Sequence, residues 1–174
     1  MEFEELRRVV VSPEGVFIDG EKRETGNLKE LYRSVSGDYP KFFKMDMLCR
    51  LGFIAAEYLL KGYDEREKEN FSVVLFNREG SLLTDRNYTE TIKERDNYYP
   101  SPALFVYTLA NIVTGEICIR HKIYGESSFY ISDSPDYKKM RKTAENVYLT
   151  SDPSAVVYGW TDFIDEENYL ADLR

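Results

Sequence analysis

The stretch PSPALFVYTLANIVTGEICIRHKIYGESSFYISDS, residues 100–134, decides how the chain is read. Its first two thirds hold the densest apolar run of the sequence. Ser101 and Pro102 have the form of an N-cap followed by an N1 proline. The residues after them predict one helix, apolar on nearly every face, that runs towards His121 and has to be covered on several sides. His121 stands in its last turn, where the helix dipole favours it. After Gly125, SSFYIS predicts a strand, which leads into the polar corner Ser132-Asp133-Ser134-Pro135. A serine followed by proline, with Asp136 in the first turn, marks a helix start, so Ser134 is expected as its N-cap. That helix carries Tyr137, Met140, Ala144 and Val147 on one narrow stripe. Lys138, Lys139, Arg141, Lys142 and Glu145 cover most of the rest, so one side expects water or a polar partner.

Upstream, VVVSPEGVFIDG (9–20) predicts two short strands about the turn at Pro13–Gly15. NLKELYRSVSGDYPKF (27–42) predicts a short helix from Asn27 to about Gly37, with Pro40 marking the break. Between Asp46 and Leu60, the residues Leu48, Leu51, Ala55, Tyr58 and Leu59 recur at helical spacing, and Gly62 supplies a C-terminal glycine. YDEREKEN (63–70) reads as a solvated loop, and FSVVLFN (71–77) as a strand buried on both faces. Residues 78–100 have no sustained period and read as a long surface excursion. SAVVYGWTDF (154–163) is the last strand, and the acidic tail 164–174 is expected to form a short terminal helix. Strands and helices alternate, so the expected fold class is α/β: a mainly parallel five-stranded sheet with helices on its faces. One domain spans 1–174, with an N-terminal hairpin and short helix in 1–43.

Bulk properties narrow the functional classes. The 174 residues suit a single domain, and 43% hydrophobic with 31% charged residues describe a globular chain. A net charge of -8 and a pI near 4.9 argue against nucleic acid as a partner. Two cysteines, Cys49 and Cys118, both within apolar helical patterns, suit buried thiols in a reducing compartment. The opening MEFEELRRVVV has acids where a signal peptide needs bases, so a cytoplasmic location is expected. Asn111, Thr114 and Glu116 interrupt the apolar run, so no membrane span is expected. The fourteen tyrosines read as core rim and interface. Asp162, Asp165, Glu166 and Glu167 lack the spacing of a calcium loop. No metal and no cofactor is expected.

Three segments carry a resemblance. KMDMLCRLGFIAAEYLL (44–60), VVLFNREGSLLTDRNY (73–88) and the run ending in Asn111, Gly115 and Gly125 resemble the N-terminal half of the β-ketoacyl-ACP synthases of the thiolase-like fold. The likeness covers residues 44–134, and more loosely extends to Phe163, where AVVYGW takes the place of the family's next buried strand. It implies a thiolase-like half-domain. In the family, the glycine matching Gly125 precedes a strand and, nine residues on, a nucleophilic cysteine at the start of a buried helix. Here that position is Ser134. A serine hydroxyl needs a nearby general base to act as a nucleophile, and none is apparent. The resemblance also implies that the family's two catalytic histidines and its lysine fall in a second half that this chain lacks. The chain is therefore expected to be truncated relative to the family, with no catalytic residue, and its charged helix after Ser134 to be adapted to that absence. Pro135 replaces the small residues that follow the family's nucleophile.

The resemblance accordingly implies a non-catalytic ketosynthase-like accessory or binding subunit in an acyl-carrier-protein-dependent fatty-acid or polyketide-type pathway. Family homodimers pair the strand before the nucleophile across a two-fold axis. This would make Ser127, Ser128, Phe129, Tyr130, Ile131 and Ser132 the interface, either with a second copy or with a full-length ketosynthase, and acyl carrier protein a further partner. The alternative is an acyltransferase or ketosynthase-related enzyme that uses Ser134 with a base from a partner chain.

Overall fold

The computed structural model describes residues 3–96 and 98–174. Met1 and Glu2, which belong to the stretch read against a leader, and Asn97, within the 78–100 excursion, lie outside the described residues. In chain order the strands are β1 (Val9–Ser12), β2 (Gly15–Ile18), β3 (Glu21–Glu24), β4 (Phe71–Asn77), β5 (Ser127–Ile131), β6 (Ala155–Phe163) and β7 (Tyr169–Leu173). The helices are α1 (Leu28–Val35), α2 (Met47–Leu59), α3 (Glu65–Glu69), α4 (Leu82–Ile92), α5 (Pro102–Val106), α6 (Ile112–His121) and α7 (Tyr137–Ser151).

All seven residues of β4 are buried. It pairs in parallel with β5 on one side and β6 on the other, with Val73 opposite both Ser127 and Val157. Alternate side chains then fill two cores. Val73, Leu75 and Val157 face the larger one, beneath Leu51, Ile54 and Ala55 of α2 and Val113 and Ile117 of α6. Val74, Phe76, Val156, Tyr158 and Trp160 face the smaller one, beneath Met140, Ala144 and Val147 of α7. The stripe expected on the charged helix is thus the face it buries. α2 begins at Asp46, whose carboxylate accepts the Cys49 N–H at 2.9 Å and the Thr84 hydroxyl at 2.6 Å. The Asn27 cap forms a reciprocal capping box with Glu30.

The sheet is mixed and seven-stranded, in the order β3-β2-β1-β7-β6-β4-β5, not five-stranded and mainly parallel. Only β4, β5 and β6 run parallel. β7 pairs antiparallel with both β6 and β1, so it joins the N-terminal hairpin to the parallel strands. Residues 169–173 of the acidic tail are therefore a central strand and not a terminal helix. Asp172 is 1% exposed and accepts from the Arg8 guanidinium through both oxygens, at 2.9 and 2.6 Å, and from Arg174 at 2.9 Å. This acid of the tail is buried because two arginines meet it.

Three further expectations are corrected. The single helix from Ser101 to His121 is two helices, α5 and α6, separated at residues 107–111. Ser101 does cap α5, accepting the Leu104 N–H at 3.2 Å. The turn is held by Ser81 Oγ donating to the Thr108 carbonyl at 2.5 Å and Tyr107 Oη donating to buried Glu116 at 3.1 Å. The 78–100 excursion contains the eleven-residue α4. The charged loop 63–70 contains α3, closed by a capping box between Asp64 and Glu67. Among the described residues, no helix is long and apolar enough to cross a membrane.

Gly159 shows how closely β6 and β7 approach. Its φ is +151°, and a Cβ built there would lie 2.0 Å from the Asp172 carbonyl oxygen. A backbone atom in mid-sheet cannot move aside cheaply. Gly159→Ala should therefore lower unfolding stability by about 2 kcal/mol or more, measured as the shift in urea midpoint at constant m-value.

Candidate functional site

The sheet has two edges, and they differ in chemistry. β3 is Glu-Lys-Arg-Glu, with Arg23 and Glu21 paired at 2.7 Å and Glu24 accepting the Tyr58 hydroxyl at 2.5 Å. Charged side chains of this kind keep an edge from pairing with another chain. β5, at the opposite edge, is Ser-Ser-Phe-Tyr-Ile, with no charge and only β4 beside it. Tyr130 is 41% exposed and Ile131 59% exposed. Tyr130 stacks on Phe76 with 4.9 Å between ring centroids, which fixes the strand's outer face.

Two local devices position this strand. At its entry, Val73 N–H donates to the Glu126 carbonyl at 2.9 Å, and a Cβ on Gly125 would stand 2.2 Å from the Phe71 carbonyl oxygen. Only glycine allows that approach. At its exit, the Ser132 N–H donates to the Asn77 carbonyl at 2.8 Å. The buried Asn77 side chain closes the following turn through two 3.0 Å bonds with the Gly80 backbone. A Cβ on Gly80 would lie 3.8 Å from both Ala110 and Ile131, so the turn between α5 and α6 adjoins the end of β5. Phe105, Val106 and Leu109, in and after α5, are each about half exposed. They lie in the segment that adjoins Ile131, and exposed apolar side chains of this kind mark interaction sites. Reading 101–121 as one covered helix concealed these residues, because nothing local in the sequence signals the bond from Ser81.

Ser134 is exposed in the corner after β5, but it does not cap the next helix. Asp136 does, accepting the Lys139 N–H at 3.0 Å, while the Ser134 carbonyl accepts from the Asp136 N–H. Both residues can cap, and the helix starts two residues later than the Ser-Pro pair suggests. Among the described residues, no imidazole, amine or carboxylate is hydrogen-bonded to the Ser134 hydroxyl. His121 precedes β5 while Ser134 follows it, and the five residues of the strand span roughly 17 Å. The structure thus keeps the candidate nucleophile and the sole histidine apart. Of the three residues singled out as Asn111, Gly115 and Gly125, only Gly125 meets a steric demand. Asn111 is exposed without a side-chain cap bond, and a Cβ on Gly115 would touch nothing within 4 Å.

His121 is buried at the end of α6, with Nε2 3.4 Å from Glu57. Glu57 is held at 2.6 Å by Arg120, which also reaches Asp38 at 2.8 Å and lies over the Tyr39 ring. Burial, with Lys68 and Arg120 nearby, pushes the imidazole down to about 3. An imidazole held that low stays neutral and is a weak proton acceptor at neutral pH. Cys118 is half-buried, and burial raises its thiol to about 11; Cys49 is fully buried and also raised. Neither is a ready thiolate.

No family model and no curated protein matches the sequence. Among solved structures, the chain is similar to the ishigamide ketosynthase/chain length factor, with a TM-score of 0.62 and 16% identity, covering 92% of this chain and 52% of that one. It is also similar to a ketosynthase (ApeO) in complex with its chain length factor (ApeC) from Xenorhabdus doucetiae, with a TM-score of 0.63 and 13% identity over 95% of this chain and 74% of that one. The chain spans about half the length of the first of these. The fold is ketosynthase-like, with the seven-stranded mixed sheet described above.

The His121 imidazole has an unfolded value near 6.5, so between pH 6.5 and 3 the unfolded chain binds a proton that the folded chain does not. Its contribution is complete above pH 6.5 and is lost as the pH falls. Between pH 6 and 4, the wild type should lose stability more steeply than His121→Gln, by up to about 1.4 kcal/mol per pH unit, as read from urea midpoints across a pH series.

Proposed function

We propose that this chain is a non-catalytic, ketosynthase-like accessory subunit that pairs through β5 with a ketosynthase. Its pathway would build a fatty-acid or polyketide-type chain on an acyl carrier protein. The observation that carries the proposal is the uncharged, exposed edge of β5 in a sheet whose other edge is guarded by charge. Strand addition at such an edge supplies backbone hydrogen bonds, and the neighbouring Phe105, Val106 and Leu109 supply apolar area. The residues of contact would be Ser127, Ser128, Phe129, Tyr130, Ile131 and Ser132.

Support for a non-catalytic role comes from Ser134, whose hydroxyl is hydrogen-bonded to no base among the described residues. Support for a ketosynthase partner comes from the fold and from the ketosynthase ApeO, which stands in complex with its chain length factor. A second copy of this chain would use the same strand, so the partner's identity is an outcome of the experiment. The acyl carrier protein would meet the assembled pair, and the setting would be cytoplasmic.

Co-expression with the ketosynthase of the same cell, followed by light scattering on the eluted complex, should give a heterodimer. Ile131→Glu should weaken it by about 2 kcal/mol or more, since a lone carboxylate would be desolvated at the contact. A chain that stays monomeric and ignores every such ketosynthase would overturn the pairing. Separately, incubation with acyl carrier protein bearing an acyl group should leave the intact mass of the chain unchanged. An acyl adduct that vanishes in Ser134→Ala would establish acyl transfer in its place.

A further inference from the structure

A cavity of about 400 Å³ opens at the end of the sheet opposite Ser134. It lies where β4 and β6 begin, between the end of α2, the later part of α7 and the N-terminal segment. Phe3, Leu60, Tyr63, Phe71, Ala155 and Val157 supply its apolar walls. The volume is open to solvent on one side. It falls within the range of small-molecule sites.

The outer wall is preformed. Arg7 donates to the carbonyls of Leu59 and Lys61, both at 2.9 Å. Phe3 packs edge-on against Tyr148, with centroids 5.6 Å apart, and its carbonyl accepts from Arg141 at 2.5 Å. The segment that encloses the cavity is therefore fastened at both ends.

The polar groups around the cavity are already matched to one another. Glu5 accepts from Arg174 at 2.9 Å and from the Tyr158 hydroxyl at 3.2 Å. Arg174 also holds Asp172 and lies over the Tyr137 ring at 4.5 Å. Arg7 is engaged with main-chain carbonyls. Arg174 is thus paired with acids, Arg7 Nη1 is held by two carbonyls, and Glu4 stands exposed at the mouth. The charged lining residues, Glu4, Glu5, Arg7 and Arg174, balance one another, so the cavity has no excess of positive charge to draw an anion.

We infer that this cavity binds a small, uncharged, hydrocarbon-rich molecule, at a site separate from both the β5 edge and the Ser134 corner. The aromatic walls suit a flat ring system as well as an aliphatic chain. The volume is roughly two to three times that of an engineered apolar cavity that holds benzene, so the ligand has about fifteen non-hydrogen atoms.

Neutral aminoanthracene is a fluorescent probe of this size and chemistry. Titrated into the full chain, it should show saturable binding at one site, with the anionic probe anilinonaphthalenesulfonate binding at least about tenfold more weakly. Ala155→Trp, which places an indole in the cavity, should weaken aminoanthracene at least about tenfold while far-UV circular dichroism and Tm are kept. Ser154→Trp, at an exposed lining position, should do the same and serves if the first variant does not fold. Ile131→Glu should leave binding unchanged. Absence of saturable aminoanthracene binding, equal or tighter binding of the anion, or unaltered affinity in a folded tryptophan variant would overturn the proposal. So would loss of binding in Ile131→Glu, which would place the probe on the β5 edge.

Discussion

Seven consecutive buried residues, from Phe71 to Asn77, oblige the chain to supply apolar side chains on two faces of one strand at once. Because β4 is hydrogen-bonded on both sides and covered above and below, helices must return to both faces of the sheet. α2 and α6 do so on one side and α7 on the other. The parallel pairing of β4 with β5 and β6 follows, since each crossover carries a helix back across the sheet before the next strand begins. The position of β5 at the rim and the corner after it are consequences of that central strand.

Chemistry is distributed unevenly around this frame. One rim is charged and closed to addition, and the other is uncharged and open. The corner after β5 holds the exposed Ser134 hydroxyl, while the imidazole is buried at the far end of the same strand beside an arginine-bound glutamate. The cavity beneath the N-terminal segment is a third region, with its own boundary and its own chemistry.

Much of this was legible in the sequence wherever the signal is local. The Asn27 and Ser101 caps, the periodicity of α2, the unbroken apolar run of β4 and the stripe of Met140, Ala144 and Val147 each depend on residues within a few positions of one another. The resemblance to ketosynthases placed residues 44–134 in a fold that the structure shares. What escaped depends on partners distant in sequence. Asp172 belongs to an acidic tail until Arg8, 164 residues away, is brought against it. Glu21–Glu24 forms a strand only because β2 lies alongside. The break between α5 and α6 is anchored by Ser81. Conversely, the apparent loop 78–100 had helix-forming residues but no clear stripe, and α4 buries only Thr84.

The late arrival of β7 also governs the order of events during synthesis. β1 precedes its inner partner, Tyr169–Leu173, by about 160 residues, so the hairpin and the parallel strands stay unlinked until β7 has been made. Such long-range closure slows folding. Until then the rim of β6 is bare, and a nascent chain stalled before residue 169 would offer other polypeptides a second sticky border.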